Sequence, residues 1–302
     1  MKTRHKWDAG SIPDQRDRIA IVTGSSSGIG FETARVLAEK NATVILAVRN
    51  KQKGESALEK IKTEHPDTDV SVMLLDLASL KSIKTFTDEF KENYKQLDLL
   101  INNAGVMMPP YSKTKDGFEV QMGTNHFGHF ALTGHLFDLL KRTPDSRVVT
   151  VSSVAHNYGK IDFSDLAWES RRYKTRNAYA DSKIANLYFT YALSQKVEKD
   201  SRNPLVTAAH PGWTATDLQR HSGLLRFLNL FFSQNISMGA LPTLYAAVGP
   251  DVKNGDYYGP SGFLEMRGYP KKVKSNPLSR DEPIAKKLWD ISEGLTGIKY
   301  SF

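Results

Sequence analysis

The sequence predicts an α/β chain built on one doubly wound parallel sheet with helices on both faces. Three observations predict it. Short β-branched runs alternate with longer amphipathic stretches from residue 18 to residue 209. Most of those runs are apolar without interruption, the pattern of parallel strands buried on both faces. The first run opens straight into a glycine-rich turn, TGSSSGIG at 23–30.

Taken in order, the expected strands are 18–23 (RIAIVT), 43–48 (TVILAV), 70–75 (VSVMLL), 98–102 (DLLIN), 147–152 (RVVTVS) and 204–209 (PLVTAA). Helical periodicity falls between them, at 28–40, 51–64, 79–95, 116–141 and 178–199. Strict alternation of this kind demands right-handed crossovers and a Rossmann-type sheet. No repeat or low-complexity linker divides the chain, so residues 1–302 read as a single domain. After 210 the pattern changes. An irregular, greasy stretch reaches to 236, a short helix is expected at 237–248, and a Gly/Pro/Tyr-rich segment (NGDYYGPSGF) follows. In such sheets ligands lie beyond the carboxyl ends of the strands. The 218–236 segment, with Phe227, Leu228, Phe231 and Phe232, therefore reads either as a substrate cover or as an interface.

Composition narrows the function classes. The chain has 41 Lys and Arg against 33 Asp and Glu, a formal net charge of +8. Those charges are interspersed, as in KQKGESALEKIKTEH, and no basic run carries interleaved aromatics, so nucleic acid is not an expected partner. Cysteine is absent, which excludes disulfides, thiolate metal sites and a cysteine nucleophile, and fits a cytoplasmic setting. The basic start MKTRHKWDAG leads into no apolar segment, and LLRFLNLFF at 224–232 is too short to span a bilayer, so no transmembrane anchor is expected. The eight histidines show no ligand-like clustering with carboxylates, so no metal is expected; His126, His129 and His210 read as packing or cofactor-side residues.

The glycine-rich turn has the chemistry of a phosphate cradle. Gly24 lets the chain leave the strand through a tight turn, Ser25, Ser26 and Ser27 offer hydroxyls and amides, and Gly28, Ile29 and Gly30 open a helix whose N-terminus favours an anion. At the end of the second strand, LAVRN carries Arg49 where an NAD-selective protein places an acid. An arginine suits the 2′-phosphate of NADP(H), the expected cofactor. These features give a cofactor half at about 15–150 and a catalytic and substrate part at about 151–302.

YADSK at 179–183 sets Tyr179 and Lys183 four residues apart, hence on one helix face. A phenol near its ordinary pKa of about 10 needs a downward shift of roughly 3 units, about 4 kcal/mol, to work near neutrality. An ammonium 4–5 Å away supplies about 4 kcal/mol at an effective dielectric of 20, so the pair is expected to lower the tyrosine. YSKTK at 111–115 has the same spacing but follows Pro109-Pro110, and reads as a loop and a chance match. VTVSSVAH ends the fifth strand and puts Ser152 and Ser153 at the ligand edge, with Ser153 the expected donor to a substrate oxygen.

TGSSSGIG, LDLAS with Asp76, NNAG at 102–105, NHFGHF with Asn125, SSVAH, YADSK and HPGWTAT, in this order, resemble the short-chain dehydrogenase/reductase family, in its retinol-dehydrogenase-like and protochlorophyllide-reductase-like branch. The resemblance covers nearly all of the chain up to about residue 265. It implies that Asp76, with Leu77 beside it, binds the adenine amino group. It implies that Asn103, Ala104 and Gly105 line the cofactor and that Asn125 helps hold a water linking Lys183 to solvent. Lys183 would also bind the nicotinamide ribose, and Pro211, Thr214 and Thr216 would position the nicotinamide. The catalytic set is then Ser153, Tyr179, Lys183 and Asn125, exchanging a hydride and a proton at a carbonyl or alcohol. The greasy 218–236 segment makes a lipophilic small molecule, retinal-like or other, the expected substrate. Family habit suggests a homodimer or homotetramer. Two alternatives stay open: reduction of a C=C bond, and a non-catalytic NADPH-binding sensor. The long spacer between Ser153 and Tyr179 fits the retinol-dehydrogenase-like branch, whose membrane-bound members carry an apolar anchor not seen here, and the lack of cysteine speaks against photochemical protochlorophyllide reduction.

Overall fold

Every crossover in the chain serves one arrangement: the two halves of a sheet that meet at β1. A computed structural model describes residues 6–198, 204–214 and 234–302. In it β1 (Ile19–Thr23), β2 (Thr43–Val48), β3 (Val70–Leu74), β4 (Leu99–Asn102), β5 (Arg147–Val151), β6 (Leu205–Ala209), β7 (Tyr257–Pro260) and β8 (Pro270–Lys272) lie in the order β3-β2-β1-β4-β5-β6-β7-β8. All pair in parallel except β7 with β8, an antiparallel edge. Chain direction along the sheet reverses between β1 and β4, so the loops leaving those two strands diverge and open a crevice.

Strand alternation splits the core. Ile21, Ile45 and Ala47 face one layer, made by α3 (Leu80–Asn93), α5 (Gly128–Arg142), α6 (Thr175–Val197) and α8 (Glu282–Thr296). Ala20, Val22, Val44 and Leu46 face the other, made by α1 (Gly28–Glu39), α2 (Lys51–Glu64) and α7 (Ile236–Val248). Both faces of the central strands are thus apolar and buried, the reason those strands read as unbroken hydrophobic runs. Aromatic rings weld the first layer: Phe189 of α6 stacks on Trp289 of α8 at 6.0 Å, and Phe130 of α5 meets Trp289 edge-on at 5.0 Å.

The first six strands fall where expected to within a residue. Three features differ. The helix expected at 116–141 is a short α4 (Val120–Met122), then a π-turn at Gly123–Phe127, then α5. The helix expected at 178–199 starts at Thr175 and is followed to Val197. β7, β8 and α8 have no counterpart in the sequence reading. The 218–233 part of the expected cover lies outside the described residues, as does Thr216.

Candidate active site

Four chain segments converge at the carboxyl edge of β1, β4, β5 and β6. The glycine-rich turn leaves β1 at Gly24, whose φ of 69° is left-handed and whose added Cβ would stand 2.9 Å from the Cα and Cβ of Ala104. Only a glycine passes there, and the loop after β4 is pressed against the loop after β1. Ser25 is buried and turns its hydroxyl inward to the Val22 carbonyl at 2.8 Å, so of this serine only the backbone faces the cradle. Ser26 is half-buried and Ser27 exposed. Ser27 is the N-cap of α1, yet its side chain makes no capping bond. The amides that open a helix have no intrahelical acceptor, and those of Gly28, Ile29 and Gly30 stand at this uncapped start.

Asn103 and Ala104 are held rather than free. Their amides each donate to Thr23 Oγ1 at 2.9 Å, and Asn103 Nδ2 donates to the Thr23 carbonyl at 2.8 Å. Gly105 lies between Asn125 and the Lys183 side chain. A Cβ built there would lie 3.0 Å from Asn125 Oδ1 and 3.6 Å from Lys183 Nζ, filling the hollow between loop and lysine.

On the rim, Arg49 follows β2 directly, is exposed, and makes no ion pair among the described residues. Asp76 follows β3, where its carboxylate accepts the Ala78 amide at 3.1 Å and the Lys115 ammonium at 3.0 Å. Leu77 beside it is buried, with its carbonyl wedged against Gly128 of α5. YSKTK is a loop, as expected; its Lys113 pairs with Glu169 and its Lys115 with Asp76.

Tyr179 and Lys183 lie on one face of α6, the ammonium 5.7 Å from the phenol ring centre. Three bonds lock this helix to the end of β5. Ser152 Oγ donates to the Lys183 carbonyl at 2.8 Å, while Lys183 Nζ and Asn186 Nδ2 donate to the Val151 carbonyl at 3.2 and 3.0 Å. Lys183 is buried with that one acceptor for an ammonium that has three donors. Two of its N–H groups have no acceptor among the described residues. Ser153 follows β5 and accepts the Ala155 amide at 3.2 Å, and its hydroxyl lies on the Tyr179 side, where it favours the phenolate. His156 clamps it from behind. Its Nδ1–H donates to the Ser153 carbonyl at 2.7 Å, and its Nε2 accepts the Asn276 amide at 3.2 Å.

Electrostatics correct one expectation. Burial pushes Tyr179 up to about 12, only partly offset by the Ser153 hydrogen bond. Burial also pulls Lys183 down to about 8. Burial raises the phenol rather than lowering it, so the expected acidic tyrosine is not found in the protein by itself.

Asn125 stands in the π-turn. Its side chain is fully committed: Oδ1 accepts the Val106 amide at 2.8 Å, and Nδ2 donates to the Val106 carbonyl at 3.0 Å and to Ser182 Oγ at 2.9 Å. It ties the post-β4 loop to α6 rather than facing solvent. After β6, the Pro211 carbonyl accepts Thr214 Oγ1 at 2.9 Å and Gln234 Nε2 at 2.7 Å, and Thr214 is buried.

A family model described as short chain dehydrogenase matches residues 18–224, more than half of the chain. The chain belongs to the short-chain dehydrogenase family. Within that family, this short-chain dehydrogenase is 42% identical over 288 residues to human retinol dehydrogenase 12, covering 94% of this chain and 87% of the relative. It is 37% identical over 292 residues to the chloroplastic short-chain dehydrogenase TIC 32 A of Brassica napus, covering 92% and 88%. Among solved structures it resembles an uncharacterized Mycobacterium paratuberculosis protein, with TM-score 0.83, 40% identity and coverage of 98% and 100%. It also resembles a short chain dehydrogenase of Shigella flexneri complexed with NADP, with TM-score 0.63, 26% identity and coverage of 80% and 96%. The short-chain dehydrogenase is thus a retinol-dehydrogenase-like oxidoreductase acting on alcohol or carbonyl groups.

Residues that sequence reasoning missed are the supports behind the site. His156 and Asn276 hold Ser153, and Glu119 holds the first turn of α4. Glu119 is buried, accepts the amides of Gln121 and Met122 at 2.9 and 2.7 Å, and accepts the Tyr173 hydroxyl at 2.8 Å. No local motif flags them, because each acts across the chain. No helix among the described residues is long and apolar enough to cross a membrane.

Proposed function

We propose that the protein transfers a hydride between NADP(H) and the carbonyl or alcohol carbon of a lipophilic substrate. The observation that carries this reading is the convergence of Ser153, Tyr179 and the under-coordinated Lys183 ammonium beside the Gly24–Gly30 cradle. The residues fit a dinucleotide. The uncapped start of α1 and the amides of Gly28, Ile29 and Gly30 would hold the pyrophosphate, and unpaired Arg49 the 2′-phosphate. Asp76, with Leu77, would meet the adenine, and Asn103, Ala104 and Gly105 would line the nicotinamide side with Pro211, Thr214 and Thr216. The two spare N–H groups of Lys183 would bond ribose hydroxyls. When bound, the nicotinamide supplies or accepts the hydride. Tyr179 gives the substrate oxygen its proton, Ser153 holds that oxygen, and Lys183 favours charge on the phenolate. When bound, an oxidised nicotinamide would add a positive charge that lowers the tyrosine.

A cavity of about 330 Å³ supports the lipophilic clause. Met108, Pro109, Pro110, Tyr173 and Thr175 line it. Thr175, in its wall, lies one helical turn before Tyr179 on the same face of α6. Its apolar wall suits a chain or ring, and its volume lies at the lower end of small-molecule sites. The cysteine-free composition supports a cytoplasmic setting.

The test is loss of NADPH absorbance with a panel of lipophilic aldehydes, small polar ketones and enones. Lipophilic aldehydes are expected to be reduced with the highest kcat/KM. Faster turnover of small polar ketones overturns the substrate class, and exclusive turnover of enones replaces carbonyl by C=C reduction. NADPH binding with no turnover of any class leaves a sensor.

A further inference from the structure

One buried ring joins the end of β1 to the π-turn before α5. His129 is 1% exposed and stands one turn after Asn125, with both ring nitrogens engaged. Nδ1 lies 3.0 Å from the Asn125 carbonyl, which can only accept, so Nδ1 carries a proton. Nε2 lies 3.0 Å from Thr23 Oγ1. That hydroxyl already accepts the Asn103 and Ala104 amides, so its lone pairs are taken and its proton must be given away. Burial and the Lys183 charge hold the ring neutral, its pKa pulled down to about 4. Nε2 is therefore bare and receives the Thr23 proton, with the Ile101 carbonyl a longer alternative at 3.2 Å. Every bond runs one way: from the 103–104 amides to Thr23, from Thr23 to His129, and from His129 to Asn125.

We propose that His129 is a positioning residue that fixes the Asn125 backbone in the π-turn and, through it, the spacing between Gly105 and Lys183. The proposal rests on the catalytic reading of Tyr179 and Lys183 above. Asn125 is the place where position counts, because its side chain grips both backbone groups of Val106 and the hydroxyl of Ser182, the neighbour of Lys183. The π-turn slips the helical hydrogen-bond ladder at this residue. The imidazole donor, four residues on, ties this carbonyl through the ring to the sequence-distant Thr23, a link the slipped ladder does not supply. Because the ring's other partner is Thr23, the π-turn is registered on the end of β1 and, through Asn125 and Ser182, so is α6.

The experiment compares His129→Phe, which keeps a ring and removes both bonds, with His129→Asn, which returns a donor near the Nδ1 position but leaves a void. His129→Phe is expected to lose about 30-fold in kcat while the NADPH Kd stays within about 3-fold. His129→Asn is expected to regain most of that kcat although it melts at a lower temperature. Simple core filling demands the opposite order, since His129→Phe preserves volume and His129→Asn does not. Wild-type kcat in His129→Phe, or no recovery in His129→Asn, overturns the proposal. If the wild type turns over nothing, the functional reading has failed while the ring remains testable. Long-range ¹H–¹⁵N spectra of His129 are expected to show a protonated Nδ1 and a bare Nε2, and the opposite tautomer overturns the inference.

Discussion

Lys183 and Tyr179 share one face of α6, the ammonium 5.7 Å from the phenol ring, and burial drives each toward its uncharged form. For the lysine this is a standing cost. Its pKa falls from 10.5 to about 8, so the unfolded chain binds the proton more tightly than the folded one. Below pH 8 the folded state bears the full penalty, about 3 kcal/mol, and the penalty disappears as pH rises from 8 to above 10.5. Lys183→Met is therefore expected to abolish turnover yet raise Tm at pH 7, the gain shrinking toward pH 10.5. Denaturant unfolding at several pH values measures it, and a variant less stable than wild type at pH 7 contradicts it.

Tyr179→Phe removes the proton donor and leaves the cradle intact. The expected result is a kcat lowered by about 10²–10⁴ with NADPH affinity within about 3-fold of wild type. Ser153→Ala is expected to lose less, since Tyr179 remains and one neutral hydrogen bond is lost. Single-turnover rates and NADPH titration separate chemistry from binding; near-normal turnover in Tyr179→Phe rejects its role.

Arg49 is exposed, unpaired among the described residues and placed directly after β2. Arg49→Ala is expected to lower kcat/KM for NADPH by tenfold or more, on the order of 1.5–3 kcal/mol for a charge-assisted bond, and to leave that for NADH nearly unchanged. An unaltered NADPH/NADH ratio removes the 2′-phosphate assignment.

Acid should unfold this protein through two histidines. Burial holds His126 down to about 3 and His129 down to about 4. Their unfolded value is 6.5, so the unfolded chain takes up protons first as pH falls. Stability is complete above pH 6.5 and declines below it, by about 2 kcal/mol for each ring at pH 5. His129→Phe and His126→Phe should each flatten that decline between pH 6.5 and 5, measured by urea midpoints. An equal pH slope in both variants and wild type contradicts the assignment.

The strands of the sheet core were legible because burial on both faces leaves a simple mark, an unbroken apolar run. The π-turn at Gly123–Phe127 was not, since slipping the hydrogen-bond ladder by one residue leaves the apolar spacing of NHFGHF almost unchanged. β7 is only Tyr257–Pro260, and its Gly and Pro argue against a strand in any local reading. α8 did carry signals: Asp281 accepts the Ile284 amide as N-cap, Pro283 follows, and Gly297 closes the helix with a φ of 70°. The shared face of Tyr179 and Lys183 was legible from their four-residue spacing, but their proton affinities were not. Those depend on how much of α6 the rest of the protein covers, which no spacing reveals.

The Thr23 hydroxyl accepts amides 80 and 81 residues farther along the chain. A contact of that span closes a long loop and has to wait for β1 and β4 to pair. A half-formed chain therefore has no pocket floor, and added nucleotide has nothing to grip during synthesis or refolding. Such a ligand protects the finished molecule by mass action but does not hasten its making.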